Sequence, residues 1–311
     1  MASSAGEPYQ PFFLRRQGID TAQCLGRESD LATLHEQVEA APSGLMLVVG
    51  MPGVGKTELL IQYMQQHRQF YAGGLALFSG ERFGEELRDW FQVEFSPDRD
   101  LRHLRTLKQQ VALGWKEWRR FCAKRPALVV IDDVTDYRQQ VEPYLPQGLG
   151  DDAPFRIVIT SRIKPGGISE DQVKELWVLA PEAAVIMLSS LAGSDRITAA
   201  HATAESLCER LGYLPLALAL VGAWLQVEPE RSLPEAVALL EQEGLDAPVL
   251  EPDRHSLRQT AERGLKAAFA ISWQQAGQDH ADGQQLARVL TLFAPVTLPW
   301  PLVAKVIQTY T

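Results

Sequence analysis

The hydrophobic and polar positions of this 311-residue chain fall into two regimes. In the first half, short continuous apolar runs alternate with stretches in which apolar residues recur every three or four positions; later only the second kind remains. The continuous runs are Leu45-Met46-Leu47-Val48-Val49, Gly74 to Ser79, Ala127 to Ile131 and Arg156-Ile157-Val158-Ile159. Short apolar or β-branched runs bounded by turn residues predict strands buried on both faces, and therefore a parallel sheet. Between them, Leu31, Leu34 and Val38 predict one helix, and others are expected over about 57–68, 81–93 and 100–124. The last of these carries the stripe Leu101, Leu104, Leu107, Val111 and Trp115. Trp90, Trp115 and Trp118 read as packing residues rather than as a ligand box.

From Pro181 onward the pattern is helical: 182–191, 198–211, 216–225 and 234–243, a loop over 246–254, then 265–275, 284–293 and 301–310. Loss of the strand signal predicts a domain boundary near Trp177 to Pro181. The expected fold class is α/β, a doubly wound parallel sheet with an all-helical part behind it.

One stretch carries chemistry. After the first apolar run comes Gly50-Met51-Pro52-Gly53-Val54-Gly55-Lys56-Thr57, which is G-x-x-x-x-G-K-[ST] between a strand and a helix, the phosphate-binding P-loop. Its glycines let backbone N–H groups close on phosphate oxygens, and the helix N-terminus adds the positive end of its dipole. Lys56 adds a point charge and Thr57 a hydroxyl for Mg²⁺, and the candidate nucleotide-binding residues run from Gly50 through Glu58. The run ending in Ile131-Asp132-Asp133 places two carboxylates at the end of a buried strand. In a P-loop protein such an Asp holds Mg²⁺, usually through water, and its neighbour can orient the attacking water. A helix N-cap is the bland alternative, which suits Asp133 or Asp136 but leaves two acids on one strand end unexplained. Arg156 to Ser161 ends in Thr160-Ser161-Arg162, and its end is expected on the sheet edge that carries the P-loop. Arg162 could reach a γ-phosphate from there; the alternative is an ordinary surface arginine.

Composition narrows the partners. With 30 Lys+Arg against 39 Asp+Glu, the net charge of −9 offers no general basic field for a nucleic acid backbone. Cys24, Cys122 and Cys208 are odd in number and widely spaced, as expected of buried thiols in a reducing cytosol, and the six histidines form no metal-ligand pair. Met1 to Gly6 lacks a basic n-region and no apolar stretch reaches a spanning length, so the chain is expected in the cytoplasm without membrane attachment.

In their order, Gly26-Arg27-Glu28, the P-loop, Ile131-Asp132-Asp133, Thr160-Ser161-Arg162 and Gly212-Tyr213-Leu214-Pro215-Leu216-Ala217 resemble the NB-ARC module of STAND signalling NTPases. The resemblance covers the chain from about Ala22 onward. It implies an arm at 1–21, a P-loop NTPase domain at 22–180, a helical lid at 181–263 and the start of a winged-helix domain at 264–311. It also implies that the segment around Gly26 and Arg27, with Pro215, lines the adenine pocket and that Arg162 senses the γ-phosphate. Asp30 stands where the family often has Glu. The chain stops at Thr311 before a Met-His-Asp-type motif or sensor repeats, so it is expected to be the core of a longer protein, with Leu302, Val303, Val306 and Ile307 as an uncovered apolar face. The implied function is an ATP/ADP-gated switch with slow Mg²⁺-dependent hydrolysis that self-associates with ATP bound and answers to an unknown effector. The chain has no Asn and thus no complete [NT]-K-x-D guanine loop with Asn, and no Lys followed two positions later by Asp, which favours adenine over guanine. Two other classes are an AAA+-type motor or loader, for which an Asp-Glu pair and a basic channel are expected, and a small-molecule kinase, which needs an Arg-rich lid; neither set of features is evident.

Overall fold

The computed structural model describes residues 26–94, 106–122, 124–150, 153–228, 230–242 and 254–279. The arm, Cys24, Leu101, Leu104, most of the 246–254 loop and the helices expected after residue 280, with Leu302, Val303, Val306 and Ile307, lie outside them. The chain forms two compact units, Met1–Trp177 and Val178–Thr311. Among the described residues no helix is long and apolar enough to cross a membrane.

The first unit runs α1 (Glu28–Ala40), β1 (Leu45–Val49), α2 (Lys56–Gln66), β2 (Gly74–Ser79), α3 (Phe83–Glu94), α4 (Leu107–Cys122), β3 (Ala127–Val134), α5 (Tyr137–Gln140), β4 (Phe155–Ser161) and β5 (Val173–Glu175). The five strands make one sheet in the order β2-β3-β4-β1-β5, and every pairing is parallel. Such a sheet needs cover on both faces, which is why its strands are apolar at successive positions instead of alternating. On one face Leu47, Val129, Ile131, Ile157 and Ile159 join Phe91, Val111, Trp115 and Trp118 of α3 and α4 in one cluster. Trp115 and Trp118 stack with ring centroids 5.4 Å apart, and Phe155 meets Trp115 edge-on at 4.9 Å. Their indole N–H groups donate to Tyr144 O at 2.8 Å and Gly73 O at 2.9 Å, so the aromatic bulk is buried with no polar atom stranded. The alternate positions Met46, Val48, Leu128, Val130 and Val158 are buried as well, along with Leu31, Leu34 and Val38 of α1 and Leu59, Leu60 and Met64 of α2.

β5 escaped the sequence pattern. It has three residues, two of them charged, and only Lys174 is buried, so it needs no continuous apolar run, unlike β2 at the other edge, which is buried at five of its six positions.

The second unit, among the described residues, is helical: α6 (Pro181–Ala192), α7 (Ser194–Ala199), α8 (His201–Arg210), α9 (Pro215–Val227), α10 (Leu233–Gln242) and α11 (Arg254–Asp279). The single helix expected over 198–211 is two, broken at Ala200 (φ −133°, ψ 44°). No glycine or proline marks that break; both short helices pack against α6, and tertiary packing overrides local propensity. Helix α11 runs unbroken through residues 263 and 264, so the boundary expected there falls in mid-helix, and Arg254, expected in a loop, is the first helical residue. Ala261, Ala267, Ala268 and Ile271 of α11 are buried, and the helix packs on α9.

Candidate functional site

The chemistry-bearing residues of the first unit meet at the carboxyl ends of its strands. Register pairs Val49 at the end of β1 with Ser161 at the end of β4, and Ser79 of β2 with Asp132 of β3. Ligands of open α/β sheets gather at this edge. Gly50 to Gly55 leave β1 and turn into α2, with Gly53 at φ 79° and Gly55 at φ 94°. A Cβ at Gly50 would lie 2.6 Å from Leu176 O, so the loop's first residue has room only for hydrogen. A Cβ at Gly55 would meet nothing within 4 Å: here glycine answers to backbone conformation, and the space in front of it is open. Gly55 is also the N-cap of α2 and no side chain caps that end, so the first-turn amides point at whatever enters the loop.

Lys56 donates to Gly50 O at 2.8 Å and Met51 O at 3.2 Å. Burial lowers its pKa from the ordinary lysine value, with Asp132 and Asp133 pulling back and Arg162 adding to the fall. A partly desolvated ammonium at the mouth of an open glycine loop can serve as the counter-charge for an anion.

Thr57 and Asp132, 75 positions apart in sequence, meet with Thr57 Oγ1 2.9 Å from both carboxylate oxygens. Thr160 Oγ1, fully buried, donates to Asp132 Oδ1 at 2.6 Å and accepts the backbone N–H of Asp133 at 2.8 Å. The strand is irregular between Ile131 and Val134, and Asp133 adopts φ 55° there, which turns its carboxylate out of the ladder into solvent. Arg162 follows β4 and sits with Nε 3.5 Å from Asp133 Oδ1, both side chains more than half exposed. A hydroxyl and a carboxylate in contact are hard oxygen donors of the kind Mg²⁺ takes. The N-cap alternative applies to Asp136, which accepts Gln139 N–H at the start of α5, and not to Asp133.

The remaining candidates are placed as follows. Met51 is half-buried, Pro52 and Glu58 are exposed, and Val54 is buried. Gly26 is exposed, whereas Arg27 is 5% exposed and its guanidinium is engaged by Asp30, Val54 O and Trp177 O. Pro215 belongs to the second unit, where it opens α9. Thr160 carried no assigned role in the sequence reading, although a hydroxyl inside a strand buried on both faces must find a hydrogen-bond partner.

The fold is that of a P-loop NTPase. Sheet order, loop and carboxylate strand establish this from the chain itself. No known family's sequence profile matches it. The regulatory protein AfsR of Streptomyces griseus is 26% identical over 210 residues, 64% of this chain and 20% of that protein. AfsR of Streptomyces coelicolor is 25% identical over 277 residues, 84% of this chain and 27% of that protein. The chain therefore spans only about a fifth to a quarter of these curated relatives. Among solved structures, domain III of the Thermotoga maritima replication initiation protein DnaA aligns with TM-score 0.43 at 18% identity, covering 70% of this chain and 92% of that one. A STAND protein with a tetratricopeptide repeat sensor from Pyrococcus horikoshii aligns with TM-score 0.39 at 16% identity, covering 87% and 46%. Scores this low add nothing to the assignment.

Proposed function

We propose that this chain is the nucleotide-binding module of a regulatory protein, an ATP/ADP-gated switch of the STAND, NB-ARC type with slow Mg²⁺-dependent hydrolysis. The observation that carries the reading is the contact of Thr57 with Asp132 beside an uncapped helix N-terminus and Lys56. Similarity to two proteins named as regulatory supports the signalling role. In this reading the backbone of residues 50–57 holds the phosphates and Lys56 leaves its carbonyl partners for phosphate oxygens. Thr57 and Asp132 would hold Mg²⁺, which would supply charge neutralisation to the phosphates. Asp133, turned outward at the bulge, positions water, and Arg162 exchanges its exposed pairing with Asp133 for the γ-phosphate. Gly26 belongs to the adenine end of the site by the family resemblance alone. Turnover is slow because ATPases of this kind gain most of their rate from a further arginine in the transition state, and self-association on ATP binding is one way to supply it.

Mass spectrometry of nucleotide released from freshly purified protein, with calorimetry for ATP, ADP and GTP in Mg²⁺, tests the proposal. Retained ADP, or ATP and ADP binding that is tighter than GTP binding, is expected. Absence of binding by any of the three overturns it, and preference for GTP overturns the adenine assignment.

A further inference from the structure

Arg27 and Lys174 are the buried cationic side chains among the described residues, and both pair with one carboxylate: Asp30 lies 2.9 Å from Arg27 Nη1 and 3.1 Å from Lys174 Nζ. The other end of the guanidinium is spent on backbone. Arg27 Nη2 donates to Val54 O at 2.9 Å and to Trp177 O at 2.7 Å. Val54 lies between the second and third glycines of the P-loop, and Trp177 is the last residue of the first unit. In a trans peptide the carbonyl oxygen and the following N–H point in opposite directions. Holding Val54 O toward Arg27 therefore directs the Gly55 N–H away from it, toward the open side of the loop. The same exit segment meets β1 and the loop directly: Leu176 N–H donates to Val49 O, at the end of β1, at 2.7 Å, and Leu176 O packs so closely on Gly50 that no Cβ fits between.

We propose that Arg27 is a positioning residue that sets the phosphate loop through the Val54 peptide and couples that loop to residues 174–177, the segment leading into the second unit. It acts on the phosphate end of the ligand and not on the base. Asp30 and Lys174 fix the guanidinium, so α1, the loop and β5 move as one piece. The inference rests on the nucleotide reading of the loop, but its first test does not. Arg27→Lys keeps the charge beside Asp30 and loses the planar fork that spans two carbonyls.

Amide hydrogen exchange on the nucleotide-free protein should then accelerate about tenfold or more in peptides covering 51–57 and 173–178. Peptides from β3 and β4 should keep wild-type rates, which separates loosening of the loop from loss of the fold. Asp30→Asn, which leaves Arg27 in place without its anchor, should give a smaller change in the same two segments. Wild-type exchange in both segments of Arg27→Lys overturns the proposal.

The second test is competition by ATP and by inorganic tripolyphosphate against a fluorescent ATP analogue. Arg27→Lys should weaken the two competitors by the same factor. A loss confined to ATP shows that Arg27 reads the base or ribose, and overturns the proposal. If neither competitor binds the wild-type protein, the nucleotide reading of the loop falls, and the exchange experiment still decides the role of Arg27.

Discussion

Replacing Thr160 by Val isolates the hydroxyl that ties the two acidic residues together. Val keeps the shape of Thr but puts a methyl where Oγ1 donates to Asp132 at 2.6 Å and accepts from Asp133 N–H at 2.8 Å. The first bond is to a carboxylate, worth about 1.5–3 kcal/mol, and the second leaves a partly buried N–H without its acceptor, which costs roughly 1–3 kcal/mol. The two losses share one atom and do not simply add, so the expected destabilisation is about 2–4 kcal/mol. At roughly 2–4 °C per kcal/mol, the first unit should melt about 4–16 °C lower. Thr160→Ser is the control: it keeps both bonds and removes one methyl group, worth about 1 kcal/mol. Urea unfolding followed by tryptophan fluorescence reads this well, because Trp90, Trp115 and Trp118 sit in the core of the same unit. Thr160 also holds the carboxylate assigned to Mg²⁺, and loss of such an outer partner typically costs 10–100-fold in metal affinity. The Mg²⁺ concentration for half-maximal ATP binding should rise at least about tenfold in Thr160→Val. Equal unfolding midpoints for the Val and Ser variants would refute the hydrogen-bond argument.

Three further outcomes are expected. Lys56→Ala should weaken ATP binding by about 1.5–3 kcal/mol, the range for a charge-assisted hydrogen bond, or roughly ten- to a hundredfold by calorimetry; an unchanged affinity in a folded variant removes the phosphate role of the loop. Asp133→Asn should lower turnover while changing ATP affinity by less than about fivefold, because an exposed ion pair such as Asp133–Arg162 is worth at most about 1 kcal/mol; wild-type turnover would assign the water to another residue. Stability should fall as pH rises from about 8.5 through 11, since burial pushes the Cys122 thiol up to about 11 and the Cys208 thiol up to about 12, and raises the phenols of Tyr63 and Tyr71. The unfolded chain releases these protons first, so the folded state holds more of them and the slope of stability with pH is negative; a urea midpoint equal at pH 8 and pH 10.5 contradicts this.

Strands β1 to β4 were legible because burial on both faces demands runs of apolar residues, and few other structures do. β2 matches its predicted span, and β3 and β4 differ from theirs by a residue or so. β5 was not legible: an edge strand of Val173-Lys174-Glu175 is specified by its pairing with β1 and by the Lys174–Asp30 contact, neither of which leaves a local pattern. The break at Ala200 and the continuity of α11 through residue 264 are likewise products of packing.

The site divides along the same line. Gly50 to Thr57 could be read because contiguous residues make the loop, and Asp132 because a carboxylate at the end of an apolar strand is conspicuous. What keeps them in place is assembled from residues far apart in sequence: Thr160 on Asp132, Arg27 on Val54 O and Trp177 O, Leu176 on Val49 and Gly50. Thr160 and Leu176 have unremarkable sequence contexts, since a Thr or a Leu at a strand end has many uses, and the Gly26-Arg27-Glu28 motif flags Arg27 without naming what it holds. They share a physical logic, however. Chemistry at a sheet edge needs polar atoms held against water, and every buried polar atom there must be satisfied by another segment. A motif therefore names the residues that meet the ligand, and the hydrogen-bond demands of those residues locate the supports. Asp132 needed a second donor once Thr57 was assigned to it, and the Val54 carbonyl needed a donor from outside the loop. Thr160 and Arg27 are the side chains that the fold delivers to those two positions.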